Sequence, residues 1–110
     1  MEDIFCRIVK GEIPAKKVFE NDRVMAIEDI APKAKTHLLI FPKEHLASSV
    51  NQEIAGEILK EILDTARMLA KKKGIDKTGY RVLTNHGSDA GQSIDHLHFH
   101  LLGGEKLKDI

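Results

Sequence analysis

The sequence predicts an α+β domain with a mostly antiparallel sheet of about five strands, one long helix and one short N-terminal helix. Three observations lead there: a helical periodicity running from Gln52 to Lys73, several short apolar runs separated by turn residues, and a length of 110 residues, enough for one core and too short for two. The whole of 1–110 is therefore expected to be one domain. Asp3 to Lys10 places Ile4, Phe5, Ile8 and Val9 at helical spacing, with Asp3 to cap the start and Gly11 to end it. Lys17 to Glu20 and Arg23 to Glu28 read as two strands of a hairpin, because Asn21-Asp22 between them is turn chemistry. His37 to Phe41 is a continuous apolar strand stopped by Pro42.

In the long helix Ile54, Ile58, Ile62, Ala66 and Leu69 share one face, and Leu59 and Leu63 widen it. Asn51 suits the N-cap, Lys71, Lys72 and Lys73 suit the negative end of the helix dipole, and Gly74 suits the residue after the C-cap. The three lysines therefore read as a solvated helix end before a polyanion patch. Tyr80 to Thr84 follows as a strand, then a polar Gly-rich loop from Asn85 to Ser93, then a last strand from Ile94 to Leu102. Helix, hairpin, strand, helix and two strands in that order make an α+β layer arrangement.

Lys+Arg and Asp+Glu balance at 17 each, so no overall field attracts nucleic acid or an anionic membrane. No apolar run approaches the roughly 20 residues of a membrane span, and the acidic start lacks the basic flank of a signal peptide, so a cytoplasmic location is expected. The one cysteine, Cys6, agrees with a reducing compartment.

Three of the six histidines fall at alternate positions, His96, His98 and His100. In an extended chain they share one face while Leu97, Phe99 and Leu101 take the other, so the apolar side faces the core and the imidazoles stand roughly 6.6 Å apart. Three adjacent rings are a poor cover for a sheet, since each must satisfy two nitrogens. The preceding loop adds glycines, whose amides can approach an anion, and Ser93 as a hydroxyl donor. Together these residues suit phosphoryl chemistry: imidazole is nucleophilic near pH 7 and leaves again when protonated, while neighbouring donors stabilise charge on the phosphoryl oxygens.

The string His96-Leu97-His98-Phe99-His100-Leu101-Leu102 resembles the His-φ-His-φ-His-φ-φ signature (φ apolar) of the histidine triad superfamily. Gly91-Gln92-Ser93 before it and Gly103-Gly104 after it are similar to the Hint branch of nucleoside phosphoramidate hydrolases. So are Asp3-Ile4-Phe5, Gly11-Glu12-Ile13-Pro14-Ala15-Lys16, Asp29-Ile30, Thr36-His37, Pro42-Lys43 and His45, in order and spacing. The resemblance implies a HIT-like fold, a homodimer, and hydrolysis of a purine nucleoside phosphoramidate or aminoacyl-adenylate through a nucleotidyl-histidine, with no cofactor needed for catalysis. It implies that His98 is the nucleophile, its other ring nitrogen oriented by a backbone carbonyl. His100 and Ser93 would contact the phosphoryl group, with His96 and His37 completing the catalytic set, Asn85 supporting it, and the Gly91 and Ser93 amides cradling phosphate. Asp29 would hold the ribose, and Phe5, Ile8, Ile27, Ile30 and Leu39 would form the base pocket; read without the resemblance, those apolar residues are core and Asp29 is a turn residue.

Some relatives of this kind carry a structural zinc, and the matching positions here are Asp3, Cys6, His45 and His96, with a carboxylate where a second thiolate is more usual. Asp95 and the short segment after Gly104 depart from the branch pattern, and His86 reads as a loop-surface residue. Three other readings remain: a dinucleoside polyphosphate hydrolase, against which Gly103-Gly104 argues; a nucleotide-binding regulatory protein, against which the intact His98 argues; and a catalytic metal held by the alternating histidines.

Overall fold

The computed structural model describes residues 3–47 and 52–110, and the side chains of 52–55 lie outside the description. Asn51, the expected N-cap, and the side chain of Ile54 therefore fall outside it. The order is α1 (Ile4–Val9), β1 (Lys17–Glu20), β2 (Val24–Glu28), β3 (Thr36–Pro42), α2 (Gln52–Lys72), β4 (Tyr80–Leu83) and β5 (Phe99–Gly103). The strands form one antiparallel sheet in the order β1-β2-β3-β5-β4.

Local chemistry sets the element ends. The Asp3 carboxylate accepts from the Cys6 amide at 2.9 Å and caps α1. Both helices close with the same paired bonds around a glycine of positive φ: Gly11 to Ile8 and Glu12 to Arg7 after α1, and Gly74 to Lys71 and Ile75 to Ala70 after α2. In the hairpin turn the Asn21 side chain accepts from the amides of Arg23 and Val24.

The sheet is covered on both faces, which explains why β3 is apolar from Leu38 to Pro42. Leu38, Ile40, Val24, Ala26, Leu97 and Leu101 pack with Ile58, Ile62, Ala66 and Leu69 of α2, while Met25, Ile27 and Phe41 pack with Phe5 of α1 on the opposite side. Leu63, expected to widen the helical stripe, is instead 44% exposed, and the buried stripe runs through Thr65 and Ala70. One residue past Ile62 the helix has turned by about 100°, which carries Leu63 away from the sheet. Gly103 has a packing reason: a Cβ there would lie 2.8 Å from Ile75 Cδ1.

The last strand begins at Phe99 and not at Ile94. Its pairing with β3 ends at Ile40 opposite Phe99; beyond that point the Leu97 amide donates to Leu46 O at 2.7 Å and the Thr84 hydroxyl to His98 O at 2.6 Å. Those side routes satisfy the backbone of 97–98 outside the ladder, and β4 correspondingly stops at Leu83. The alternation survives the loss of pairing, with Leu97 and Leu101 in the core. Among the described residues no helix is long and apolar enough to cross a membrane.

Candidate active site

The face covered by α1 carries two groups of imidazoles with His98 between them. Leu39 of β3 stands opposite His100 of β5, so His37, two residues along β3, lies diagonally beside it. His37 Nε2 and His100 Nδ1 are 2.8 Å apart, and Asp29 Oδ2 lies 3.4 Å from the same His37 nitrogen. The Lys33 amide donates to His37 Nδ1 at 3.0 Å. A ring nitrogen that accepts has no hydrogen, so neutral His37 carries its proton on Nε2 and donates to His100 Nδ1. By the same rule His100 carries its proton on Nε2, the nitrogen left for the cavity that His100 lines. Burial, reinforced by the neighbouring His98 and His37 and opposed by Asp29, pushes the His100 pKa down to about 4. Burial also lowers that of His37, against the attraction of Asp29. Near pH 7 both rings are neutral and the donor chain has one direction.

His98 is set the opposite way. Its Nδ1 lies 2.7 Å from the carbonyl oxygen of His96, and a carbonyl can only accept, so Nδ1 bears the proton and Nε2 keeps its lone pair. Phe5 and His100 flank the ring, with centroids at 4.9 and 5.4 Å.

His96 is fully buried, and its Nε2 lies 2.8 Å from the Pro42 carbonyl oxygen. Its N–H is thereby committed, and the Nδ1 lone pair turns toward Asp3 Oδ2 at 3.0 Å and Cys6 Sγ at 3.7 Å. His45 Nδ1 completes the group at 2.9 Å from Asp3 Oδ2 and 3.5 Å from Cys6 Sγ. Burial raises the Asp3 carboxyl pKa, but the Cys6 amide and His96 outweigh it and leave the group below its ordinary value. Four potential ligand atoms thus converge, all within 4.8 Å of one another. A tetrahedral centre with metal–sulfur and metal–nitrogen bonds of about 2.3 and 2.05 Å separates S from N by about 3.5 Å, close to the spacing found here.

The cavity beside His98 measures about 330 Å³. Larger hollows of about 490 and 500 Å³ lie by the C-terminal segment and beside α2, away from the histidines. Phe5, Ile8, Ile27, Asp29, Ile30, Leu39, Ser93, His98 and His100 all line the smaller cavity. Ile30 stands at its rim, 96% exposed. Asn85, Gly91, His37 and His96 are not in its lining. The Gly91 amide expected to cradle phosphate already donates to Ser88 O at 3.0 Å, closing the short 3-10 turn Ser88–Ala90. His96, grouped with the catalytic residues by its place in the motif, faces the Asp3 cluster.

Several lining residues escaped the sequence reading: Ile4, Ile13, Pro14, Ala15, Glu28 and Ile94. Ile94 has the parity of His96, His98 and His100, a signal that was available. Gln92 was missed as an organiser of the loop: its side chain accepts from the Gly87 amide at 2.7 Å and donates to Ile94 O at 3.0 Å.

Residues 10–107 match the HIT domain family. Among solved structures, a HIT family hydrolase from Legionella pneumophila is 44% identical with a TM-score of 0.93, the match covering 97% of this chain and 96% of that one. A histidine triad nucleotide-binding protein from Candida albicans is 36% identical with a TM-score of 0.81, over 97% and 84% of the two chains. A HIT-like protein of Helicobacter pylori is 40% identical over 104 residues, covering 94% of this chain and 98% of its own length.

Proposed function

The chain belongs to the HIT domain family, and from that premise we propose that it is a nucleotide-binding hydrolase that cleaves a purine nucleoside phosphoramidate or aminoacyl-adenylate through a nucleotidyl-histidine at His98. The observation that carries the reading is the 2.7 Å contact of His98 Nδ1 with the His96 carbonyl, which leaves a nucleophilic Nε2 on a ring lining an apolar cavity. The hydrolase names of solved relatives agree with it.

In the first half-reaction His98 Nε2 attacks the α-phosphorus, a P–N bond to the enzyme forms and the bond to the amine or acyl group breaks. An amine leaving group takes a proton, with Ser93 at the cavity wall to relay it from water, whereas an acyl group departs as its carboxylate. The His96 carbonyl stabilises the cationic ring through Nδ1–H, and the His100 Nε2–H binds a phosphoryl oxygen. Water then attacks phosphorus and expels neutral His98, releasing the nucleoside monophosphate. Phe5, Ile8, Ile27, Ile30 and Leu39 hold the base, and Asp29 at the rim accepts from the ribose hydroxyls. No cofactor enters these steps.

Asp3, Cys6, His45 and His96 would hold a structural zinc, which would supply a positive centre for four converging donors; the sulfur-to-nitrogen spacings of 3.5 and 3.7 Å fit that role. A homodimer is supported by the edge position of β4 and by half-exposed Leu63, Met68 and Tyr80 on α2 and β4. The balanced charge and single thiol fit small-molecule substrates in the cytoplasm, with no nucleic-acid or membrane partner.

The test is intact-protein mass spectrometry after brief incubation with an adenosine phosphoramidate, quenched without acid. An added nucleotidyl mass is expected on the native chain and absent from His98→Ala. No adduct and no turnover, with nucleotide binding intact, would transfer the function to a regulatory binding protein.

A further inference from the structure

We propose that the Asp3, Cys6, His45 and His96 cluster, when it holds a divalent metal, is a positioning device for His98 and makes turnover respond to metal supply, although no metal touches substrate. The inference rests on the assignment of His98 as nucleophile.

The carbonyl that sets the His98 tautomer belongs to His96, and residues 96–98 lie outside the β5 ladder, which begins at Phe99. Sheet hydrogen bonding therefore does not hold that carbonyl in place. Among the described residues the segment is held instead by the His96 ring on Pro42 O at 2.8 Å, the Leu97 amide on Leu46 O at 2.7 Å, the Thr84 hydroxyl on His98 O at 2.6 Å, and the His96 Nδ1 in the cluster. The first two run to the segment between Pro42 and Leu46, which also carries His45. Among the described residues the cluster joins that segment, His96 and α1 at a single point, because Asp3 and Cys6 come from α1 and its cap. Phe5, between those two ligands in sequence, has its ring 5.3 Å from His96 and 4.9 Å from His98, so a displacement of α1 reaches the nucleophile by a second route.

With the cluster unfilled, its members are held by proton-mediated contacts to the Asp3 carboxylate, 2.9 Å from His45 Nδ1 and 3.0 Å from His96 Nδ1. A metal takes the place of those shared protons and locks the His96 backbone through its own ring. A carbonyl that shifts by about 1 Å loses its bond to His98 Nδ1–H and frees the other tautomer, a displacement of the size that costs on the order of a hundredfold in rate.

Asp3 offers a controlled test, because Asp3→Ala and Asp3→Cys both remove the carboxylate cap of α1 while only the second restores a fourth soft donor. The full-length chain and both variants are loaded with zinc alone or stripped by chelator, with His45→Ala as a second lesion away from α1. Metal content, kcat and KM on an adenosine phosphoramidate, AMP affinity, and the long-range proton–nitrogen correlation of the His98 ring are read at fixed pH. The expected result is a kcat about tenfold to a hundredfold lower for Asp3→Ala, His45→Ala and stripped native protein, with AMP affinity within about twofold. Their His98 signals should show mixed tautomers, and zinc-loaded Asp3→Cys should recover both kcat and the single Nδ1–H form. Folded Asp3→Ala and His45→Ala with native tautomer signals would overturn the positioning role, even where their melting temperature has dropped. If the native chain shows no turnover, the hydrolase reading fails, and the tautomer signals still decide the positioning.

Discussion

Two groups on one face of the sheet each combine histidines with a carboxylate, yet their hydrogen-bond partners suit them to different chemistry. In the group of Asp3, Cys6, His45 and His96, the His96 Nε2–H is spent on the Pro42 carbonyl and the potential ligand atoms converge, as a metal requires. In the group of Asp29, His37 and His100, the ligand atoms also lie within 4.8 Å of one another. There, however, the Lys33 amide occupies His37 Nδ1 and commits a proton to the His37–His100 contact. A metal-bound histidine ordinarily donates from its far nitrogen, whereas His37 accepts there. Composition does not separate the two groups; the backbone atom at the far ring nitrogen, a carbonyl in one and an amide in the other, does.

The largest effect should come from the ring between them. His98→Ala should lower kcat by about three orders of magnitude or more while AMP affinity, measured by calorimetry, changes little, because binding contacts are spread over the cavity. Retained turnover would return His98 to the ranks of ordinary surface imidazoles.

Metal linkage should divide the two groups cleanly. Zinc at a hundred times its Kd should stabilise the native chain by about 2.7 kcal/mol, seen as a raised Tm. Cys6→Ala should abolish that rise and His37→Gln should preserve it. A zinc effect lost in His37→Gln and kept in Cys6→Ala would reverse the assignment.

Acid should act on the second group. Folded His100 titrates at about 4 and the unfolded residue near 6.5, so the unfolded chain binds the proton first. The stability tied to His100 is complete above pH 6.5 and is lost as pH falls through 4; the full shift corresponds to about 3.4 kcal/mol, and solvent screening of the half-buried ring reduces it to on the order of 2 kcal/mol. Urea melts of His100→Gln should show a correspondingly shallower acid loss than the native chain. Equal slopes would mean that the ring is not held neutral.

The smallest effect is expected at Asp29, which serves both the donor chain and the cavity rim. Asp29→Ala should raise KM by about tenfold and leave kcat nearly unchanged, as loss of uniform binding does. A fall in kcat at constant KM would move Asp29 from ribose binding into the donor chain.

Much of the site was legible one residue at a time. The parity of His96, His98 and His100, the cap at Asp3, the turn at Asn21 and the glycines after both helices follow from periods and contacts within a few residues. The cavity residues Phe5, Ile27, Asp29 and Leu39 were reached through resemblance, since the hydrophobic pattern by itself assigns them to core or turn. Ile94 shares the parity of the histidine row, but that it walls the cavity depends on α1 packing over that face. The Gly91 amide was misplaced because the 3-10 turn that consumes it is set by dihedral angles, which composition does not reveal. Leu63 was put in the core because a wide apolar stripe and its exposed edge look alike until the sheet is in place.

What the sequence by itself determined was local: which side chains share a face, where helices start and stop, and that three imidazoles stand in a row. Those follow from the geometry of a single extended or helical chain. What only the tertiary structure decided was which nitrogen of each ring donates and which accepts, because the atom that fixes it comes from elsewhere in the chain or from backbone in an unpaired segment. Pro42 O meets the ring of His96, 54 residues away; His37 meets His100, 63 residues away; Asp3 meets His96, 93 residues away. A ring nitrogen donates or accepts according to the partner that folding brings to it, and on the proposed reading that choice makes one histidine a metal ligand, one a nucleophile and one a donor.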